Sequence, residues 1–550
     1  MPSRSPLPYA VVCALLLGVP GIARAQAVLG IGDDATTLPG GAVRIGVFNA
    51  WTRFDERFDA AGTPQLLRPD LTTDEAGVSQ FENLAPLQQD VRTLSGLSDF
   101  NVSIGHTVLM QNALVRTTPV TAELGITHWL QLGVTVPIVR SQNAVDFRVN
   151  SDRPGGNVGV NPALSQSAAA AVNGALEQQL ASASAALSAQ IDACTANPSG
   201  ANCATVLANG PALLTSAQGF AAGLVQVYGS SVFVPRLGSS ADSAIRARVA
   251  DLGARFGSFG ISDITSTGPA ASETPAGVSD IQRFVTDSAF GIAGDSLQTV
   301  NHIGLGDIEV SAKVQWLNTL GQAQRFHVRG SFNVRSAITG VVRFGTGTPS
   351  APENFLDIGT GDGQTDVEIR SQNDFVMGRR FWTSVVGWYG IQLADQRPMR
   401  IAGPDEAIVG VYRTFPVQRD LGDYYAVAIT PRLVLGDYFS LGAQYLYRHK
   451  NQDEYRGTFT TTNLVGDTVT LDASILDRET AQRAHQISAG LVYSTLAAYA
   501  AGKTRWPIEV SFEHTASLAG SGGRTPKITE DRLQIRIYAH LFGGPMWGRP

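Results

Sequence analysis

Hydrophobic and polar positions alternate along residues 303–335 with the period of a β-strand, twice, around one short turn. Ile308, Val310, Ala312, Val314 and Trp316 take one set of positions; Asp307, Glu309, Ser311, Lys313 and Gln315 take the other. Past the turn at 318–324, Phe326, Val328, Gly330, Phe332 and Val334 alternate with His327, Arg329, Ser331, Asn333 and Arg335. Successive side chains of a strand project to opposite faces, so each strand has one apolar face and one polar face. A water-soluble sheet would bury the apolar face. A membrane barrel would turn that face to lipid and point the charges into its lumen.

The alternation recurs along most of the chain. Val43, Ile45 and Val47 open a first strand running to about Phe54, followed by a polar stretch, 55–98, with Asp55, Asp59, Asp70 and Asp74, which reads as a long loop. A second strand runs from Phe100 through Val115, and residues 120–136 form a hairpin turning at 127–129. Further hairpins join Val367 and Ile369 to Val385 and Gly387, Val427 and Ile429 to Leu441 and Tyr445, and Ile487 and Leu491 to Ile508 and Phe512. The last strand carries Leu533, Ile535, Ile537 and Ala539. The pattern predicts about twelve spanning strands, an even number as in single-chain bacterial barrels.

Two regularities favour lipid over water outside the sheet. Short turns near 127, 321, 378 and 436 alternate with long polar loops at 55–98, 340–365, 394–422 and 450–483, the periplasmic and external connections of an outer-membrane barrel. Trp129, Trp316, Phe326, Phe375, Phe381, Trp382, Phe439, Trp506 and Phe542 gather beside the short turns, where an interfacial aromatic girdle belongs. A secreted β-sandwich or solenoid would not need both regularities together. The expected fold is all-β, a transmembrane antiparallel barrel.

Residues 150–300 break the pattern. Leu164, Ala168, Val172, Leu176, Leu180, Leu187 and Ile191 fall at helical spacing. Pro211 is placed to open a second helix, Ser240 to cap a third, and Ser279 to start a fourth. The polar residues on the other faces exclude a lipid-spanning role. This internal helical insertion is expected to emerge externally, as a surface cap or a plug folded into the lumen.

Composition adds the address. Arg4, an apolar run and Ala23-Arg24-Ala25 give residues 1–25 the form of a signal peptide. Residues 26–149 then hold a glycine-rich lead-in and the first barrel strands, and 301–550 the remaining strands. Cys13 falls inside the leader; in an exported chain Cys194 and Cys203 are expected to form a disulfide. The net charge of −6 and 16% charged residues argue against a nucleic-acid partner. The expected partners are outer-membrane lipid, the barrel assembly machinery and a small-molecule solute, and the expected location is the outer membrane.

Gly304-Leu-Gly-Asp307-Ile-Glu-Val-Ser-Ala-Lys313 resembles the G-x-G-D strand start of outer-membrane barrels grouped with meta-pathway phenol-degradation proteins. The hairpin from Ala122 to Pro137 and the stretch Gly359-Thr-Gly-Asp-Gly-Gln-Thr-Asp366 are similar to neighbouring segments of that group. The resemblance covers roughly 113–140 and 303–542 and leaves the insertion unmatched. It implies transport of aromatic or other hydrophobic compounds across the outer membrane.

The polar faces place Asp307, Glu309, Lys313, His327, Arg329, Arg335, Glu368, Arg370 and Asp374 in the lumen. They either line a polar path or pair across the barrel and brace it. Asp357, Asp362 and Asp366 offer oxygens to calcium, but without EF-hand spacing. The histidines lack ligand spacing, so neither a metal site nor a cofactor is expected. No H-x-S of the outer-membrane phospholipase type and no G-x-S-x-G elbow occurs, so no enzyme is expected. Residues 26–42 are too short for the N-terminal plug domain of a TonB-type receptor. The runner-up function is a surface-binding or structural protein anchored by a closed barrel.

Overall fold

The computed structural model describes residues 31–320, 332–378, 380–403, 405–436, 438–500 and 502–541. Twelve strands make the wall: β1 (Ala42–Phe54), β2 (Gly105–Gly125), β3 (Leu130–Val149), β4 (Ile308–Asn318), β5 (Phe332–Phe344), β6 (Asp366–Met377), β7 (Phe381–Gln392), β8 (Tyr424–Val434), β9 (Phe439–Lys450), β10 (Gln482–Ser494), β11 (Ile508–Ser521) and β12 (Thr529–His540). Each pairs antiparallel with its sequence neighbours, and β1 closes on β12 with Ala42 opposite His540 and Arg53 opposite Thr529. The all-β barrel expected from the alternation is the observed fold, with twelve strands.

The wall is inverted relative to a soluble sheet. Along β4, Val310, Val314 and Trp316 are exposed while Glu309 and Lys313 are buried. The same holds around the ring: Ile45, Val134, Ile338, Ile369, Ile429, Leu491 and Ile535 face outward. In lipid every backbone amide must be satisfied within the protein, and closure leaves the spanning wall without an edge. Exposed aromatics mark both rims: Trp129, Trp316, Phe381, Phe439 and Trp506 beside the short turns, Phe344, Tyr389 and Tyr425 toward the long loops. Among the described residues no helix is long and apolar enough to cross a membrane.

β2 and β3 are the tall pair, joined from Thr107↔Val149 down to Gly125↔Gln131. β3 pairs with β4 only over 130–135; its upper half pairs with the segment Val300–Leu305. The break falls at Gly306-Asp307, where the Gly306 amide donates to the Pro137 carbonyl at 2.9 Å.

Above this pair sits a helical cap. Its helices are α1 (Leu84–Ser95), α2 (Ser167–Ala196), α3 (Cys203–Leu224), α4 (Ser240–Gly257) and α5 (Val278–Thr286). Leu87 and Val91 of α1, Leu180 and Leu187 of α2, Phe220 of α3, Ile245 and Val249 of α4 and Ile281 of α5 share one apolar core. That core runs into Leu109, Phe147 and Val149 at the upper ends of β2 and β3, so cap and wall are joined by packing. A disulfide between Cys194 and Cys203 clamps the corner between α2 and α3, with Cα atoms 5.1 Å apart.

Four local expectations give way. The stretch 55–98 is not simply a polar loop: Leu84, Leu87, Val91 and Leu94 stripe one face of α1 and dock it on the cap. Pro211 lies inside α3 rather than opening it; Asn202, at φ 63°, turns the chain, and the helix starts at Cys203. Ser239, not Ser240, caps α4, its hydroxyl accepting from the Asp242 amide at 3.2 Å. On α2 the buried stripe passes through Ala169, Leu176, Leu180 and Leu187, leaving Val172 exposed, as is Leu164 in the turn ahead of the helix.

A charge on the outer wall should be expelled by lipid. Ile429→Arg, midway along β8, is expected to destabilise the barrel folded into vesicles by roughly 2–4 kcal/mol. Urea unfolding followed by heat-modifiable gel mobility reads this; an unchanged midpoint would show that the face does not meet lipid.

A lumen closed by paired charges and an N-terminal strap

The inward face of β4 to β8 carries a continuous ionic network. The Arg343 guanidinium on β5 donates to Glu309 on β4 at 2.6 Å and to Asp366 on β6 at 2.5 Å. Glu368 pairs with Arg370 and accepts from the Tyr424 hydroxyl on β8. Arg335 on β5 lies 2.8 Å from Asp374 on β6, which also accepts from the Ser384 hydroxyl at 2.7 Å. Arg335 and Arg432 both lie over the Trp382 ring, at 5.1 and 5.2 Å from its centroid. All these charged groups are buried. In such surroundings a charge needs a partner, which explains why these groups come in opposite-sign pairs, within β6 as well as between strands.

The lead-in completes this network. Residues 31–38 run into the periplasmic half of the lumen, with Ile31, Asp33, Asp34, Ala35, Thr36 and Leu38 buried. At one side Leu38 donates its amide to Gln131 at the foot of β3, 3.0 Å. At the centre Lys313 reaches Asp33 Oδ1 at 3.2 Å and the Asp34 carbonyl at 2.6 Å. Gln372 donates to Asp33 Oδ2 at 2.9 Å, and the Ala35 amide donates to Asp374 at 3.2 Å. At the far side the Arg432 guanidinium donates to the Ile31 carbonyl at 2.6 Å. The strap thus crosses the lumen from the β1–β3 wall to the β8–β9 wall.

Glycine makes that crossing fit. Gly32 adopts φ 72°, and a Cβ there would stand 2.6 Å from Thr430 Oγ1. Gly442 on β9 leaves room for Ile31, since a Cβ would come within 2.8 Å of its Cδ1.

The expected lumen residues therefore divide. Glu309, Lys313, Arg335, Glu368, Arg370 and Asp374 are brought together inside the barrel. Asp307 is elsewhere: it sits at the strand break and accepts from the Gly347 amide at 2.8 Å, pinning the loop between β5 and β6. His327 and Arg329 lie outside the described residues, as do residues 1–25, Phe326 and Phe542. The calcium option does not assemble, because Asp366 points to Arg343 while Asp357 accepts from the Ala351 amide. Asp33, Asp34, Arg343 and Arg432 went unnoticed as lumen groups, although Arg343 and Arg432 keep the inward parity of β5 and β8.

The upper lumen differs in character. Leu109, Ala113 and Val115 on β2 and Val139 and Phe147 on β3 point inward. Ile358 from the loop between β5 and β6 packs on Val115 and Val139, and Ser141 donates to its carbonyl at 2.5 Å. Outside, Arg413 ties Glu82 of the first loop to Glu406, 2.7 Å away. Burial and the hydrogen bond to Glu82 push the neighbouring Tyr412 hydroxyl up to about 12.

A closed twelve-stranded wall, a lipid-type exterior and a polar interior define a transmembrane β-barrel of the outer-membrane class. No family model matches the chain, and no curated protein does. Solved structures of similar outline include an outer-membrane channel from Pseudomonas putida F1, at 9% identity over 92% of this chain and 98% of that one, TM-score 0.41. Others are the Ralstonia pickettii toluene transporter TbuX (8% identity, 94% of this chain and 97% of that one, TM-score 0.27) and the P. putida toluene transporter TodX (9%, 92% and 91%, TM-score 0.25). The fold assignment rests on the strand pairing itself.

Removing one partner of a buried pair leaves the other uncompensated. Lys313→Ala is expected to cost roughly 3–5 kcal/mol and to loosen the strap. A Thr36→Cys reporter should then react with a bulky maleimide far faster than in the lysine parent, and equal rates would show that Lys313 does not hold the strap.

Proposed function

We propose that the chain is a gated outer-membrane channel for small hydrophobic solutes, held closed by its own lead-in strap. The observation that carries this reading is that the periplasmic half of the lumen is filled by residues 31–38, a segment covalently joined to the wall only through the start of β1. A barrel serving only as an anchor can fill its interior with wall side chains. Here the wall leaves room for a chain segment and attaches it through polar contacts, which can exchange for water.

Solute class follows from two further features. The strand-start motifs at Gly304 and Gly359 resemble those of barrels that move aromatic compounds. The upper ends of β2 and β3 turn Leu109, Val115, Val139 and Phe147 inward, where the cap core and Ile358 cover them, so the external side of the barrel would offer a solute apolar surface once those contacts part. The barrel assembly machinery would insert such a chain, and its chemistry is passage rather than catalysis.

The pairing of the described lumen charges along β4 to β6 favours a second reading, in which the barrel is an anchor and the cap binds a partner. Conductance in planar bilayers separates the two. The full chain is expected to be nearly silent and a variant lacking residues 31–38 to conduct steadily, with folding of both confirmed by heat-modifiable mobility. Silence from both, together with no uptake of a radiolabelled aromatic solute into vesicles, would establish the anchor.

A further inference from the structure

The outer wall carries one feature that neither closure nor the lumen network explains. Arg116 on β2 and Arg140 on β3 stand directly opposite each other, and both point out of the barrel. Directly opposed residues place their Cβ atoms about 4.5–5.5 Å apart, and like charges so placed repel. Among the described residues the nearest acidic side chain on this row is Asp531, two strands away opposite Trp51, and it is already held by Arg53 and His514. Along the same row lie Trp51 on β1 and Ile303 beside β3. The row above holds Arg53, Leu114, Gln142 and Asn301, and Arg53 already pairs with Asp531 on β12 at 3.1 Å. The next acidic side chain up β3 is Asp146, six residues or about 20 Å away, and it is held by Arg148.

The surroundings fix what would neutralise the pair. The row below carries Asn49, Thr118, Ile138 and Leu305, and beneath it the wall is apolar, with Val47, Val120 and Val134 exposed. The arginines therefore stand at the upper edge of the lipid-facing belt, on the side of the long external connections. Arg116 is pre-positioned: its Nε donates to Asn49 Oδ1 at 2.9 Å, and its guanidinium lies 5.7 Å from the Trp51 ring centroid. Guanidinium groups bind phosphate oxygens through parallel charge-assisted hydrogen bonds. An anion seated here would be continuous with acyl chains lying on Val120, Ile138 and Leu305.

We propose that Arg116 and Arg140 form a binding site for the phosphate of an outer-leaflet glycolipid, whose acyl chains follow the apolar strip of β2 and β3. Bound lipid neutralises the opposed guanidinium groups and brings an ordered amphiphile to the tallest part of the wall, below the cap.

Native mass spectrometry of the detergent-solubilised full chain, titrated with bisphosphorylated lipid A, tests this. The parent chain is expected to retain the lipid, and Arg116→Gln/Arg140→Gln to lose roughly tenfold or more in affinity, as expected for removing charge-assisted contacts. Arg148→Gln, on the same strand but paired with Asp146, should bind like the parent. Because all three residues are exposed, the variants should fold, which heat-modifiable mobility checks; Arg140→Gln alone serves if the double variant does not. Equal binding by parent and Arg140→Gln would overturn the site. Equal thermal protection of the parent by inorganic phosphate, at matched concentration, would overturn the lipid assignment.

Discussion

A spanning sheet with no free edge is the constraint from which the rest of this structure descends. Backbone amides cannot be left unpaired in hydrocarbon, so the twelve strands must close, and Ala42 must find His540 across the whole length of the chain. Closure turns the apolar faces outward and drives every inward-facing polar side chain into a narrow lumen. There the charges cannot rely on bulk water. They pair with each other or would neutralise.

That demand explains the arrangement of β4 to β8. Arg343 serves two carboxylates at once, and Arg335 and Arg432 share the Trp382 ring while reaching different oxygens. The wall does not balance alone. Lys313 and Gln372 both turn to Asp33, and Arg432 turns to a backbone carbonyl of the strap. The lead-in is thus part of the lumen's electrostatics as much as an obstruction, which is why a short segment suffices where a plug domain would be far larger.

The outer half obeys a different rule. Along the upper halves of β2 and β3, inward apolar side chains such as Leu109, Phe147 and Val149 run into the cap and join a core shared by five helices. The first loop and the loop between β7 and β8 are drawn onto this core through Glu82 and Arg413.

Period-two alternation is a local property, so the sequence by itself determined the strands, their faces, their approximate number and the short and long ends of the barrel. The helices of the insertion were legible for the same reason, and α1 was overlooked only because its four-residue stripe lies among aspartates. Glu309, Lys313, Glu368 and Asp374 could be placed inside by parity alone. The contacts with the strap could not: Asp33 meets Lys313 across 280 residues, and Arg432 meets Ile31 across 401. Asp307 keeps the parity of β4 yet pins a loop, since the break at Gly306 ends the regular register. Only tertiary structure decided these, because barrel closure, not spacing along the chain, sets which charges share a buried volume and which segment must fill it.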